Sequence, residues 1–77
     1  MNIHDLENKK ILIAGYGIEG KATLAFLNRF VPSATIGIAD QERDGAAYLD
    51  IQSEYDLVIK TPGIRKECIS IPYTTAT

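Results

Sequence analysis

Lys10-Ile11-Leu12-Ile13-Ala14-Gly15-Tyr16-Gly17-Ile18-Glu19-Gly20-Lys21 decides how the rest of the chain is read. Lys10 to Ala14 is a β-branched and aliphatic run with no polar alternation, the pattern of a strand buried on both faces. Gly15, Gly17 and Gly20 follow as G-x-G-x-x-G. Lys21 to Phe30 then reads as a helix, with Gly20, Leu24, Leu27 and Val31 on one stripe and Lys21, Asn28 and Arg29 away from it. Pro32 closes the helix, because the residue before a proline resists the α conformation. Strand, glycine turn and helix open a βαβ unit. The first glycine permits the tight turn, the second lets a phosphate or sugar approach the backbone, and the third lets the helix pack closely on the strand.

Working outward, residues 1 to 9 are a polar lead-in with Ile3 and Leu6 as lone apolar positions. Thr35 to Ala39 is a second apolar strand ending at Asp40. Gln41 to Ser53 is polar and mixed, with room for one short helix over Gly45 to Leu49 capped by Asp44. Leu57-Val58-Ile59 is a third strand, closed by Lys60-Thr61-Pro62-Gly63. Tyr73 to Thr77 is rich in β-formers and reads as a fourth. The fold expected is α/β: an incomplete Rossmann-like, three-layer unit with a short parallel sheet in the order 3-2-1-4.

Composition narrows the function classes. At 77 residues the chain is one small domain, which buries roughly 60% of its unfolded surface and has a thin core. A net charge of −2 supplies no basic excess to displace counterions, so nucleic acid is not an expected partner. Apolar runs of four or five residues, such as Ile11 to Ala14, are too short to span a membrane. His4, Asp5 and Glu7 stand where a signal peptide would need an apolar run. Cys68 is the one cysteine, so no internal disulfide forms, which suits a reducing, cytoplasmic setting.

The candidate site residues lie at the carboxyl ends of the first three strands, where open α/β sheets bind ligands. Gly15, Gly17 and Gly20 with the following helix N-terminus form a phosphate-binding candidate; the alternative is a glycine turn that only packs the helix. Ile18 and Glu19 sit inside that loop. Glu19 is either a ligand-facing position through its backbone N–H or an ordinary first-turn acid. Asp40 lies 25 residues after Gly15 by the numbering, where such folds place the acid that accepts from ribose hydroxyls; the alternative is a turn-initiating cap. Gln41 beside it both donates and accepts. Thr61-Pro62-Gly63 presents rigid backbone without bulk, suited to a flat base, or is a plain turn. His4 reads as solvent-facing. Cys68 has no second cysteine or paired histidine near it in sequence, so neither a metal site nor a catalytic thiol is expected. No catalytic residues are assigned.

Together these pieces resemble a known family. The stretch Lys10 to Lys21, then Asp40, then Asp56-Leu57-Val58-Ile59-Lys60-Thr61-Pro62-Gly63-Ile64 is similar to the N-terminal domain of the Mur ligases, above all the D-glutamate-adding branch. The third strand and its ending are the telling part, and the resemblance covers residues 9 to 77. It implies a cytoplasmic, peptidoglycan-building enzyme whose first domain holds the UDP end of UDP-N-acetylmuramoyl-L-alanine. It also implies further domains that bind ATP and magnesium and complete the ligation. Residues 1–77 would be that first domain, truncated, with no cofactor of its own and the rest of the ligase chain as partner. Carried over singly, Gly17, Ile18 and Glu19 match the loop facing the diphosphate, Asp40 and Gln41 the pair meeting the uridine, and Thr61, Pro62 and Gly63 the turn on the base. The family often has a hydroxyl residue at the Glu19 position, and a basic residue soon after the acid, where Glu42 precedes Arg43 here.

A second reading is an NAD(P)-binding Rossmann module of a dehydrogenase or regulatory protein. The glycine loop and Asp40 serve both, but a dinucleotide needs a second βαβ half that 77 residues do not provide. The sheet edge near Thr74 is expected to be poorly covered and to self-associate, since open strand edges recruit partners. No P-loop G-x-x-x-x-G-K-[ST] occurs; Gly20-Lys21-Ala22 lacks both the hydroxyl and the spacing. The purified chain is therefore expected to give no magnesium-dependent ATP turnover in a phosphate-release assay. Turnover abolished by a mutation within the chain would contradict this.

Overall fold

The computed structural model describes residues 3–76; Met1, Asn2 and Thr77, which the sequence reading includes in the domain, lie outside the described residues. Its strands are β1 (Lys10–Ala14), β2 (Thr35–Ala39), β3 (Leu57–Lys60) and β4 (Tyr73–Thr75). Its helices are α1 (Ile18–Phe30) and the single turn α2 (Gln41–Asp44), with short 3-10 turns at Ile3–Asp5, Asp50–Glu54 and Lys66–Cys68. All three strand pairings are parallel, and the fold is the expected small Rossmann-like α/β unit.

The two-faced strand dictates the layers. Ile11, Leu12, Ile13 and Ala14 are all fully buried. Ile11 and Ile13 join Leu57 and Ile59 under Leu27 and Val31 of the α1 side. Leu12 and Ala14 join Val58 and Ala39 on the opposite face, under Leu49 with Tyr48, Tyr55, Ile64, Ile69 and Ile71. The sheet is thus the middle of three layers. Among the described residues no helix is long and apolar enough to cross a membrane.

An order of 3-2-1-4 is expected above; the sheet runs β2-β1-β3-β4. Both orders set β2 beside β1 and β4 at an edge. In the structure β3 lies on the far side of β1, between β1 and β4, rather than beyond β2. The reason is coverage. Right-handed crossovers that step twice in one direction lay both connections on one face. Leu12, Ala14 and Val58 would then have only the connection after β3 to cover them. Reversing the step after β2 sends the second connection to the bare face, where Leu49 and Tyr55 meet these residues.

Two local readings are also revised. The helix expected at Gly45 to Leu49 is instead α2, one turn earlier and opened by Asp40; Gly45 ends it with φ +82°. Helix α1 begins at Ile18 with Gly17 as its N-cap, so Glu19 and Gly20 belong to its first turn. Buried Gln52, in a stretch that reads as merely polar, clips the chain after β3. Its Nε2 donates to the Cys68 carbonyl at 3.1 Å and its Oε1 accepts from the Ser70 N–H at 2.7 Å. Asp56 performs a similar task at the sheet's other end, accepting from the Lys10 N–H at 2.9 Å.

Gly20 sets the spacing of α1 over the sheet, for a Cβ there would fall on the Gly15 carbonyl oxygen. Gly20→Ala should therefore cost ~1–3 kcal/mol as overpacking. Gly17→Ala should cost little, since its Cβ would meet nothing nearer than Glu19 Oε2 at 4.0 Å. Urea denaturation of the two variants checks the contrast; equal midpoints would show that Gly20 does not set the packing distance.

Candidate functional site

The order β2-β1-β3-β4 makes β1 and β3 the place where the connections part. The turn after β1 leads to α1 on one face, and the chain after β3 leads to Ile64 and Ile69 on the other. In open α/β sheets such a switch point leaves a crevice at the carboxyl ends. A cleft of about 340 Å³ lies there. Gly15, Tyr16 and Gly17 form one side, Asp40, Gln41 and Glu42 the second, and Thr61, Gly63 and Ile64 the third, with Tyr48 between.

Backbone hydrogen bonds tie these three turns together. The Gly15 N–H donates to the Ala39 carbonyl at 2.7 Å, and the Thr61 N–H to the Ala14 carbonyl at 3.0 Å. Gly15 has φ +91°, and a Cβ there would collide with the Thr61 hydroxyl. That position requires glycine on both counts. Gly17 has an ordinary φ of −83°. Its own conformation does not demand glycine, and what a side chain would fill there is open space.

Asp40 opens α2, but its side chain makes no capping hydrogen bond. The backbone work is done by Asp44, whose Oδ2 accepts the Asp40 N–H at 2.9 Å. The Asp40 carbonyl accepts from the Arg43 and Asp44 N–H groups. The Asp40 carboxylate thus borders the cleft without a capping task, so the capping alternative is not the arrangement found. Arg43 turns back toward the sheet. Its Nη2 donates to the Ile38 carbonyl at 2.7 Å and to Asp44 Oδ2 at 2.9 Å. The basic residue that follows the acid is therefore engaged with β2 and Asp44 and does not line the cleft.

Of the ten residues singled out from sequence, Gly15, Gly17, Asp40, Gln41, Thr61 and Gly63 meet at this cleft. Gly20 is buried in the α1–sheet contact, and Pro62 is exposed outside the cleft lining. Ile18 is 85% exposed. With Glu19 it borders a separate groove, shared with Phe26 and Ile59 on the α1 face. Four lining residues were not among the ten: Tyr16, Glu42, Tyr48 and Ile64. Tyr16 sits within the glycine motif, and the Lys21 ammonium stands 5.7 Å from its ring centroid, within cation–π range. Ile64 follows the Thr61 turn. Tyr48 is a half-buried aromatic in a stretch that reads as polar, and the Tyr48-Leu49 pair was the available signal. Burial pushes the Tyr48 phenol above its ordinary range, with the Cys68 and Asp40 charges adding to the shift.

No known family model, curated protein or solved structure matches this chain.

The hydrogen bond from Arg43, followed by that from the Asp40 N–H, holds the Asp44 carboxyl below its ordinary 3.8. A carboxylate lowered on folding stabilises above its unfolded pKa, and the effect is lost as pH falls through the folded value. Asp44→Asn should therefore lower the melting temperature slightly near pH 7 and make no difference well below the ordinary carboxylate range. Thermal melts of both proteins across that window test it. A difference that grew toward acid would contradict the assignment.

Proposed function

We propose that this chain is a substrate-anchoring domain that holds the UDP moiety of a nucleotide-sugar substrate, UDP-N-acetylmuramoyl-L-alanine. The resemblance to the Mur ligases, in particular UDP-N-acetylmuramoyl-L-alanine:D-glutamate ligase, is what names that substrate. In this reading the chain belongs to an ATP-dependent, D-glutamate-adding ligase of cytoplasmic peptidoglycan precursor synthesis. ATP, magnesium and the ligation step then belong to the rest of that ligase.

One observation carries the reading: the uncapped Asp40 carboxylate, the open space at Gly17 and the Thr61–Gly63 turn border one cleft at the switch point. A carboxylate is a strong acceptor for ribose hydroxyls or an imide N–H. Gln41 adds a donor and an acceptor beside it. Thr61 and Gly63 offer low relief for a flat base. A single nucleoside fits three turns of this kind; a dinucleotide would need a second half-site.

With this cleft open to water on one side, the Kd for UDP is expected on the order of 1 mM or weaker, about 4 kcal/mol. Asp40→Ala should weaken binding, and Gly17→Val should abolish it by filling the space beside the turn. Amide chemical shifts during titration with UDP and with NAD decide the matter. If NAD perturbs the glycine turn at lower concentration than UDP, or if Asp40→Ala leaves the UDP shifts unchanged, the dinucleotide reading replaces this one.

A further inference from the structure

Charge is the property of this cleft that the nucleotide reading leaves unused. Asp40 and Glu42 line it, and no lysine or arginine does among the described residues. Arg43, adjacent in sequence, is bound to the Ile38 carbonyl and paired with Asp44. Lys21 stands over the Tyr16 ring and is not part of the lining.

The start of α1 offers no compensating anion site. The helix's first backbone bond runs from the Lys21 N–H to the Gly17 carbonyl at 3.0 Å, so the amides before Lys21 precede the helical ladder and carry its positive end. In this chain an anion is already beside them. Glu19 is in the first turn, and its Oε2 lies 4.0 Å from where a Gly17 Cβ would stand. A phosphate approaching the Gly17 backbone would come against that carboxylate.

We propose that the cleft selects the uncharged nucleoside and discriminates against its phosphates, with Glu42 in its lining and Glu19 beside Gly17 at its margin as the discriminating residues. The nucleoside keeps every donor that Asp40 can accept. Each added phosphate brings negative charge toward Glu19, Asp40 and Glu42, and the lining itself offers it no lysine or arginine. The inference rests on the nucleotide-site reading and specifies which end of the nucleotide this chain holds.

The test titrates the full chain with uridine, UMP and UDP in EDTA, following amide shifts at Gly15, Asp40 and Gly63. Affinity should stay level or fall from uridine to UDP, and UDP binding should strengthen as salt is added. Glu19→Gln should raise the UDP-to-uridine affinity ratio about three- to tenfold, the size of one like-charge pair a few ångströms apart near a wet surface. Glu42→Gln should shift the ratio the same way. If wild-type chain binds UDP tenfold or more tighter than uridine, or if Glu19→Gln leaves the ratio unmoved, the discrimination is refuted while the nucleotide site stands. If none of the three ligands moves these amides, the nucleotide site itself fails, and the discrimination with it.

Discussion

Ile11, Leu12, Ile13 and Ala14 are all inaccessible to solvent, so both faces of β1 must be covered by other parts of a very short chain. Leaving one large aliphatic side chain in water would forgo roughly 1.5–3 kcal/mol, a large share of what a domain this small has to spare. A single helix cannot cover two faces. The connection after β2 passes to the side that α1 does not occupy, which places β3 against β1 and sends the turns after β1 and β3 in opposite directions. The crevice at their carboxyl ends is a geometric result of that packing demand. Asp40 reaches the same crevice because β2 is paired in register with β1, Ala14 opposite Ala39, so the two strands end level.

Much of this was legible in the residues. The unbroken apolar runs at Ile11 to Ala14 and Leu57 to Ile59 identify strands buried on both faces, and the three glycines identify a strand-to-helix turn. The strand order was harder to read, because it depends on which face each connection covers, and a polar connection gives little sign of its face. The stripe that decides it is sparse: Tyr48, Leu49 and Tyr55 within a run of acidic and small residues. The position of α2 was missed for a related reason. Asp44 looks like a cap for a helix beginning at Gly45, whereas it reaches back to the Asp40 N–H, and Gly45 at φ +82° stops the helix that Asp44 appeared to start. Gln52 shows the same limit. Its two hydrogen bonds to the chain at Cys68 and Ser70 join segments far apart in sequence, and no local pattern announces them.

The division of labour at the end of β2 also bears on the site. An aspartate at a helix N-cap ordinarily accepts an amide hydrogen bond worth about 0.5–2 kcal/mol. Asp40 holds that position without making the bond, and Asp44 and Arg43 secure the turn instead through Asp40 N–H and the Ile38 carbonyl. One carboxylate is thereby committed to structure and the other left to the cleft. The same commitment takes Arg43 out of the cleft, because a guanidinium bound to a strand carbonyl and a neighbouring carboxylate has few donors left in that direction. Freeing Asp40 and keeping the guanidinium out of the cleft lining are thus two consequences of one local network. A cleft built this way keeps an acceptor for hydroxyl and N–H groups and has no guanidinium in its lining, and both properties trace to the pairing of Arg43 with Asp44.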